Sequence, residues 1–211
     1  MRAALCNRLR FPLWAALRLL IVVASLLSFA TPSEASQVRS VNLEEMVQRA
    51  DRVFSGRCLG VRVAHDPALD RTVTYVTFSV QRVVKGDLHG RVRIKMLGNV
   101  DATATPDDRI EGLPRFQAGE EVVLFLHGDS ARGLTSPVGF SQGKFAVVHD
   151  KQGRPVAING MRNEHLFRGI SPRAEGPLGA HAARQKDERG IPPDVLLDMA
   201  EALQQKREGR R

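Results

Sequence analysis

Catalysis or metal binding in this chain would have to be built from six histidines, 23 carboxylates and two cysteines. The histidines fall at 65, 89, 127, 149, 165 and 181. None stands in a His-x-x-x-His pair or beside a glutamate at metalloprotease spacing. His65, Asp66 and Asp70 put ligand types into one short segment, and His149-Asp150 precedes a Lys-Gln-Gly turn. Both sites read as polar turns, so no metal or cofactor is expected. Asp107, Asp108 and Glu111 are the one carboxylate group that could serve a hard cation or a partner. Otherwise they are a solvated charged loop. Gly139-Phe140-Ser141-Gln142-Gly143 spells Gly-x-Ser-x-Gly. The hydrolase elbow of that spelling needs a strand before the serine and a helix after it, inside an α/β domain. Here the serine lies between two β-like stretches, so a hairpin turn is expected and a hydrolase using Ser141 is kept as an alternative.

The amino-terminal segment sets the compartment. Arg2, Arg8, Arg10 and Arg18 precede or enter an uncharged apolar run over residues 19–30. That run is short for a membrane span of about 20 residues and suits the apolar part of a signal peptide. Ser28 with Ala30, or Ser33 with Ala35, offers a cleavage site. An uncleaved anchor over residues 11–30 would bury Arg18, at about 2.5–3.5 kcal/mol near a helix centre. Residues 1–35 are therefore expected to be a signal peptide, and the protein periplasmic or secreted, with no membrane span after cleavage.

Export changes what the remaining residues mean. Of the formal charge of +8, five units belong to residues 36–211, and their cations look interspersed along the chain. Only one tyrosine and no tryptophan remain there, which gives no row of stacking platforms for nucleic acid. Cys58 would be the sole thiol, which excludes an internal disulfide and thiolate-rich zinc sites. A buried inert thiol is expected; an intermolecular disulfide or a reactive thiol is the other reading.

The elements that must position these residues are mostly strands. Asn42 followed three residues on by Glu45 starts a short helix over residues 41–50. Residues 52–64 read as a strand with Val53, Leu59, Val61 and Val63 on one side and Gly56 and Gly60 on the other. Residues 72–84 form a long β-branched run, and residues 91–97 alternate Val92, Ile94 and Met96 with Arg91, Arg93 and Lys95. A long loop over 98–120 leads to the apolar run 121–127. Residues 134–140 and 143–149 read as a hairpin, followed by a strand at 155–159. Residues 36–160 would make one domain. Residues 161–192 read as linker or disordered, and residues 193–207 as a helix with Leu196, Met199, Ala200 and Leu203 on one stripe.

The order of motifs resembles the netrin-like module, the OB-type barrel also found in the tissue inhibitors of metalloproteases. It also resembles uncharacterised exported bacterial proteins. The matching residues are Ala50-Asp51-Arg52-Val53, Val84-Lys85-Gly86, Phe116, Gly119-Glu120-Glu121 and Gln142-Gly143-Lys144-Phe145. They cover roughly residues 45–150. In the inhibitors an amino-terminal cysteine meets the target's zinc; no cysteine lies near residue 36, so that mechanism transfers to no residue here.

The expected fold class is mainly β: a small closed or partly open OB-like barrel, with a short N-terminal helix and a C-terminal helix on a flexible tail. The expected function is that of an exported, non-enzymatic binding module, its partner an envelope or secreted protein. The candidate binding residues are Asp107, Asp108 and Glu111 in the long loop, and Phe140, Ser141, Gln142 and Lys144 at the turn. Fold resemblance alone adds a protease inhibitor or protease-associated protein as a further alternative.

Overall fold

A computed structural model describes residues 39–105, 110–170, 179–180 and 190–209. The expected signal peptide, and residues 171–178 and 181–189 of the expected linker, lie outside the described residues. The chain is mainly β. Helix α1 (Leu43–Arg49) precedes β1 (Arg52–Asp66), β2 (Arg71–Lys85), β3 (Arg91–Leu97) and β4 (Glu121–Leu126). A 3-10 turn (Phe140–Gly143) leads into β5 (Lys144–His149) and β6 (Pro155–Asn159), and helix α2 (Pro193–Glu208) follows. All five pairings are antiparallel, in the order β3-β2-β1-β4-β5-β6.

The ladder is an open row, not a closed barrel. Alternation tells that a strand has an inside, and an open sheet satisfies it as well as a closed one once each face is covered. Here both faces are. Phe54, Phe78, Ile94, Met96, Phe116 and Leu124 belong to one apolar core. Its rings of Phe54, Phe78 and Phe116 meet edge to face, with centroids 5.8 and 5.6 Å apart. The second core joins Val53, Val123, Phe125 and Phe145 to both helices. β4 feeds both, Val122, Leu124 and Leu126 to the first and Val123 and Phe125 to the second. That double burial is why its sequence is continuously apolar.

Expectation and observation part company in three places. In β1, Leu59 and Val63 are 44% and 39% exposed instead of facing inward with Val53. Register shifts at Val53/Phe54, Ser55/Gly56 and Cys58/Gly60 break the alternation, since each bulge turns the following side chains to the other face. Residues 134–140 form no strand; they contribute the single bridges Lys95↔Leu134 and Leu126↔Pro137. Residues 161–170 are a run of turns rather than a free linker. Leu166 and Phe167 are buried, the Leu43 N–H donates to the Leu166 carbonyl at 2.8 Å, and Asn42 Nδ2 donates to the Arg168 carbonyl at 2.9 Å.

The helices follow the sequence closely. Asn42 Oδ1 accepts from the Glu45 N–H at 2.8 Å, a cap of about 1 kcal/mol. Helix α2 opens with Pro193 and buries Leu196, Leu197, Met199, Ala200 and Leu203 against the second core. Arg82 of β2 reaches Asp198 and Glu201 of that helix at 2.7 and 2.8 Å. Among the described residues no helix is long and apolar enough to cross a membrane.

Candidate functional site

The turn at 139–144 and the loop at 98–120 meet. The Ser141 N–H donates to the Gly112 carbonyl at 3.0 Å. Lys144 Nζ donates to the Arg115 carbonyl and to Glu120 Oε1, the latter at 2.5 Å. Glu111 is exposed beside Gly112 on the same loop. Of the candidate binding residues, Glu111, Phe140, Ser141, Gln142 and Lys144 therefore belong to one neighbourhood; Asp107 and Asp108 lie outside the described residues.

The Gln142-Gly143-Lys144-Phe145 segment is explained by packing. Gln142 is buried; its Oε1 accepts from the Val41 N–H at 2.8 Å and its Nε2 donates to the Arg39 carbonyl at 3.1 Å. It clamps the strand of chain that leads into α1. At Gly143 a Cβ would sit 2.5 Å from the Val138 carbonyl oxygen and 2.9 Å from that of Phe125, so the backbone approach requires glycine. Phe145 packs against Phe125, the rings tilted at 57° with centroids 5.6 Å apart. Each residue of the segment has a structural task.

Lys144 and Cys58 show what burial does to chemistry here. The Lys144 side chain is 10% exposed, and its ammonium lies 4.8 Å from the centre of the Phe116 ring. Burial pulls its pKa below the usual lysine value, while the Glu120 carboxylate works against that fall. Burial pushes the Cys58 thiol up, partly offset by its contact with the Gly60 carbonyl. A raised thiol is held protonated and is a poor nucleophile, in keeping with the inert reading.

Among the described residues nothing is built around the serine of the Gly-x-Ser-x-Gly spelling. Ser141 lies in a 3-10 turn followed by β5, not by a helix. Among the described residues no hydrogen bond joins Ser141 Oγ to a histidine or carboxylate. No cluster of three metal-ligating side chains occurs among the described residues. His65 and Asp70 form an exposed pair at 3.6 Å, and Asp66 is taken by Lys95.

What the neighbourhood does offer is a groove of about 410 Å³ lined by Met96, Leu97, Ile110, Leu113, Leu134 and Phe140, with His127 and Thr135 as polar wall. Leu97, Ile110 and Phe140 are each more than 40% exposed. Phe140 also holds a left-handed backbone, φ 59°, directly after Gly139 at φ 64°. A bulky residue in that region is strained, and strain of this kind gathers at ligand clamps. Of this lining, sequence reading named only Phe140 as a candidate and missed Leu97, Ile110 and Leu134. Leu97 ends a strand whose odd positions otherwise point polar side chains outward, and that break in pattern was the available sign.

The sequence matches no protein-family model and no curated protein.

Proposed function

We propose that this chain is an exported, non-enzymatic binding module, periplasmic or secreted, that holds an apolar segment of an envelope or secreted protein in the Leu97–Ile110–Phe140 groove. The observation that carries this reading is Phe140: a large aromatic side chain kept in solvent, on a strained backbone, at the rim of an apolar groove. Export is supported by the arginine-flanked apolar run at 19–30. A partly open OB-like, netrin-like barrel is supported by the two single bridges, which link β3 to β4 through residues 134–137.

The test places a photo-crosslinking residue at Phe140, Leu97 or, as a control, Val148, which is equally exposed on β5. In the exporting cell, positions 140 and 97 are expected to trap one and the same partner, and position 148 none. No adduct, or equal labelling at 148, would overturn the reading. Phe140→Gly completes the experiment. It should abolish the adduct at Leu97 while raising stability by about 0.5–1 kcal/mol in urea unfolding, because glycine relieves the positive φ. A variant that is destabilised and still crosslinks at Leu97 would count against the groove.

A further inference from the structure

The cations that look scattered in sequence are gathered by the strand register. Cross-strand partners share a face of a sheet, so three rows can be read from the pairings of β1, β2 and β3. They are Arg62–Tyr75–Lys95, Gly60–Thr77–Arg93 and Arg57–Ser79–Arg91. Five of these nine positions are cationic, and none is a carboxylate. Rows lie about 6.7 Å apart along the strands and strands about 4.8 Å apart. The result is a central column of hydroxyls, Tyr75, Thr77 and Ser79, flanked on both sides by positive charge.

Neutralisation of this face is incomplete. Arg57 pairs with Glu121 at 2.5 Å, and Lys95 pairs with Asp66. Among the described residues Arg62, Arg91 and Arg93 have no carboxylate partner. Arg62 and Arg93 instead place their guanidiniums 5.3 and 5.4 Å from the centre of the Tyr75 ring. The two cationic columns face each other across β2 at about 9.6 Å, and an anion laid between them would meet positive charge from both sides. A Cβ at Gly60 would meet nothing within 4 Å, so the middle row is open on the β1 side.

We propose that this face binds a linear anionic polysaccharide along β2, with sulfate, phosphate or carboxylate groups on the arginine columns and sugar hydroxyls on Tyr75, Thr77 and Ser79. Repeated charge matches repeated arginines, and the hydroxyl column matches a sugar backbone. A single tyrosine, attended by two guanidiniums, gives nucleic acid no succession of stacking surfaces. None of the nine positions carries a large aliphatic side chain; the exposed leucines beside them, Leu59 and Leu97, lie at the margins of the rows. This site adjoins the Phe140 groove at Lys95 but shares no lining residue with it, and it stands or falls independently.

Labelled heparin is the probe, titrated into the purified chain across salt from about 50 to about 300 mM. Log affinity should fall linearly with log salt. Arg62→Ser combined with Arg93→Ser should weaken binding at least about tenfold and flatten the slope by about two. Lys151→Ser combined with Arg168→Ser removes the same charge from exposed positions elsewhere and should change affinity less than about twofold. Arg91→Gln alone should cost about fivefold, and thermal melts of all variants should match the parent. Absence of heparin binding would overturn the proposal, as would equal losses in the two double variants. Equally tight binding of single-stranded DNA or anionic phospholipid vesicles, with the same variant sensitivity, would reassign the face.

Discussion

Gly143 and Gly60 are the same residue type in opposite circumstances. At Gly143 a methyl group would press on Val138 N and O at 2.7 and 2.5 Å and on Phe125 O at 2.9 Å, all backbone atoms fixed by the β4 and 137–138 contacts. At Gly60 it would meet nothing within 4 Å. Gly143→Ala should therefore cost about 2–3 kcal/mol through overpacking, while Gly60→Ala should be neutral or add about 0.4–1 kcal/mol by restricting the unfolded chain. Urea unfolding of the pair decides it. Equal effects at the two positions would mean that the turn at 139–144 can move aside, and the account of the Gln142–Phe145 segment would fail. Sequence gave Gly143 only as part of a motif spelling. The carbonyls it must clear come from residues five to eighteen positions earlier, which no local pattern reveals.

At the level of elements, β3 was legible in full, because it pairs with one neighbour without a bulge and keeps one buried face. β1 was legible in extent but not in facing. Two of its register shifts, at Val53/Phe54 and Ser55/Gly56, fall where it is paired on both sides, with β2 and β4, and the third, at Cys58/Gly60, falls just after it leaves β4; these are tertiary events that alternation cannot anticipate. The far end of this long hairpin is held to β3 by Asp66, whose carboxylate takes Lys95 Nζ and the Ala68 N–H. The Lys95 hydrogen bond is the main reason its pKa lies below the ordinary 3.8. A carboxyl depressed in the folded state stabilises above its unfolded value and loses that contribution as pH falls through the folded one. Asp66→Asn should therefore be less stable than the parent at neutral pH, and the two stability curves should converge as pH drops below 3.8. Asp101 and Asp150, also depressed, by hydrogen bonds from Thr103 and Arg154 respectively, add to the same acid loss in both proteins. A difference between parent and variant that stays constant with pH would sink this explanation of the hairpin tip.

For the whole molecule, the second core is the point of dependence. Cys58 is the one free cysteine among the described residues and staples nothing, so the helices are held to the sheet by apolar contact and a few ion pairs. Leu196, Leu197, Met199 and Leu203 carry most of what α2 buries. At about 1.5–3 kcal/mol for each fully buried side chain, the four together contribute about 6–12 kcal/mol, comparable to the whole stability of a typical domain, about 5–15 kcal/mol. Sequence reading gives Leu196, Met199, Ala200 and Leu203 of this stripe, without Leu197, and sets the helix on a flexible tail. The buried Leu166, Phe167 and Ile191, which belong to the same core, sit in a stretch too rich in turns for periodicity to mark them. A chain ending before Pro193 should consequently lose its cooperative unfolding transition and expose dye-binding apolar surface. Leu197→Ala should cost about 2–4 kcal/mol, and Leu59→Ala, at a side chain 44% exposed, less than about 0.5 kcal/mol. A truncated chain that still unfolds cooperatively at the parent's midpoint would show that the sheet and its first core suffice. The C-terminal helix would then be an accessory to the fold rather than half of its interior.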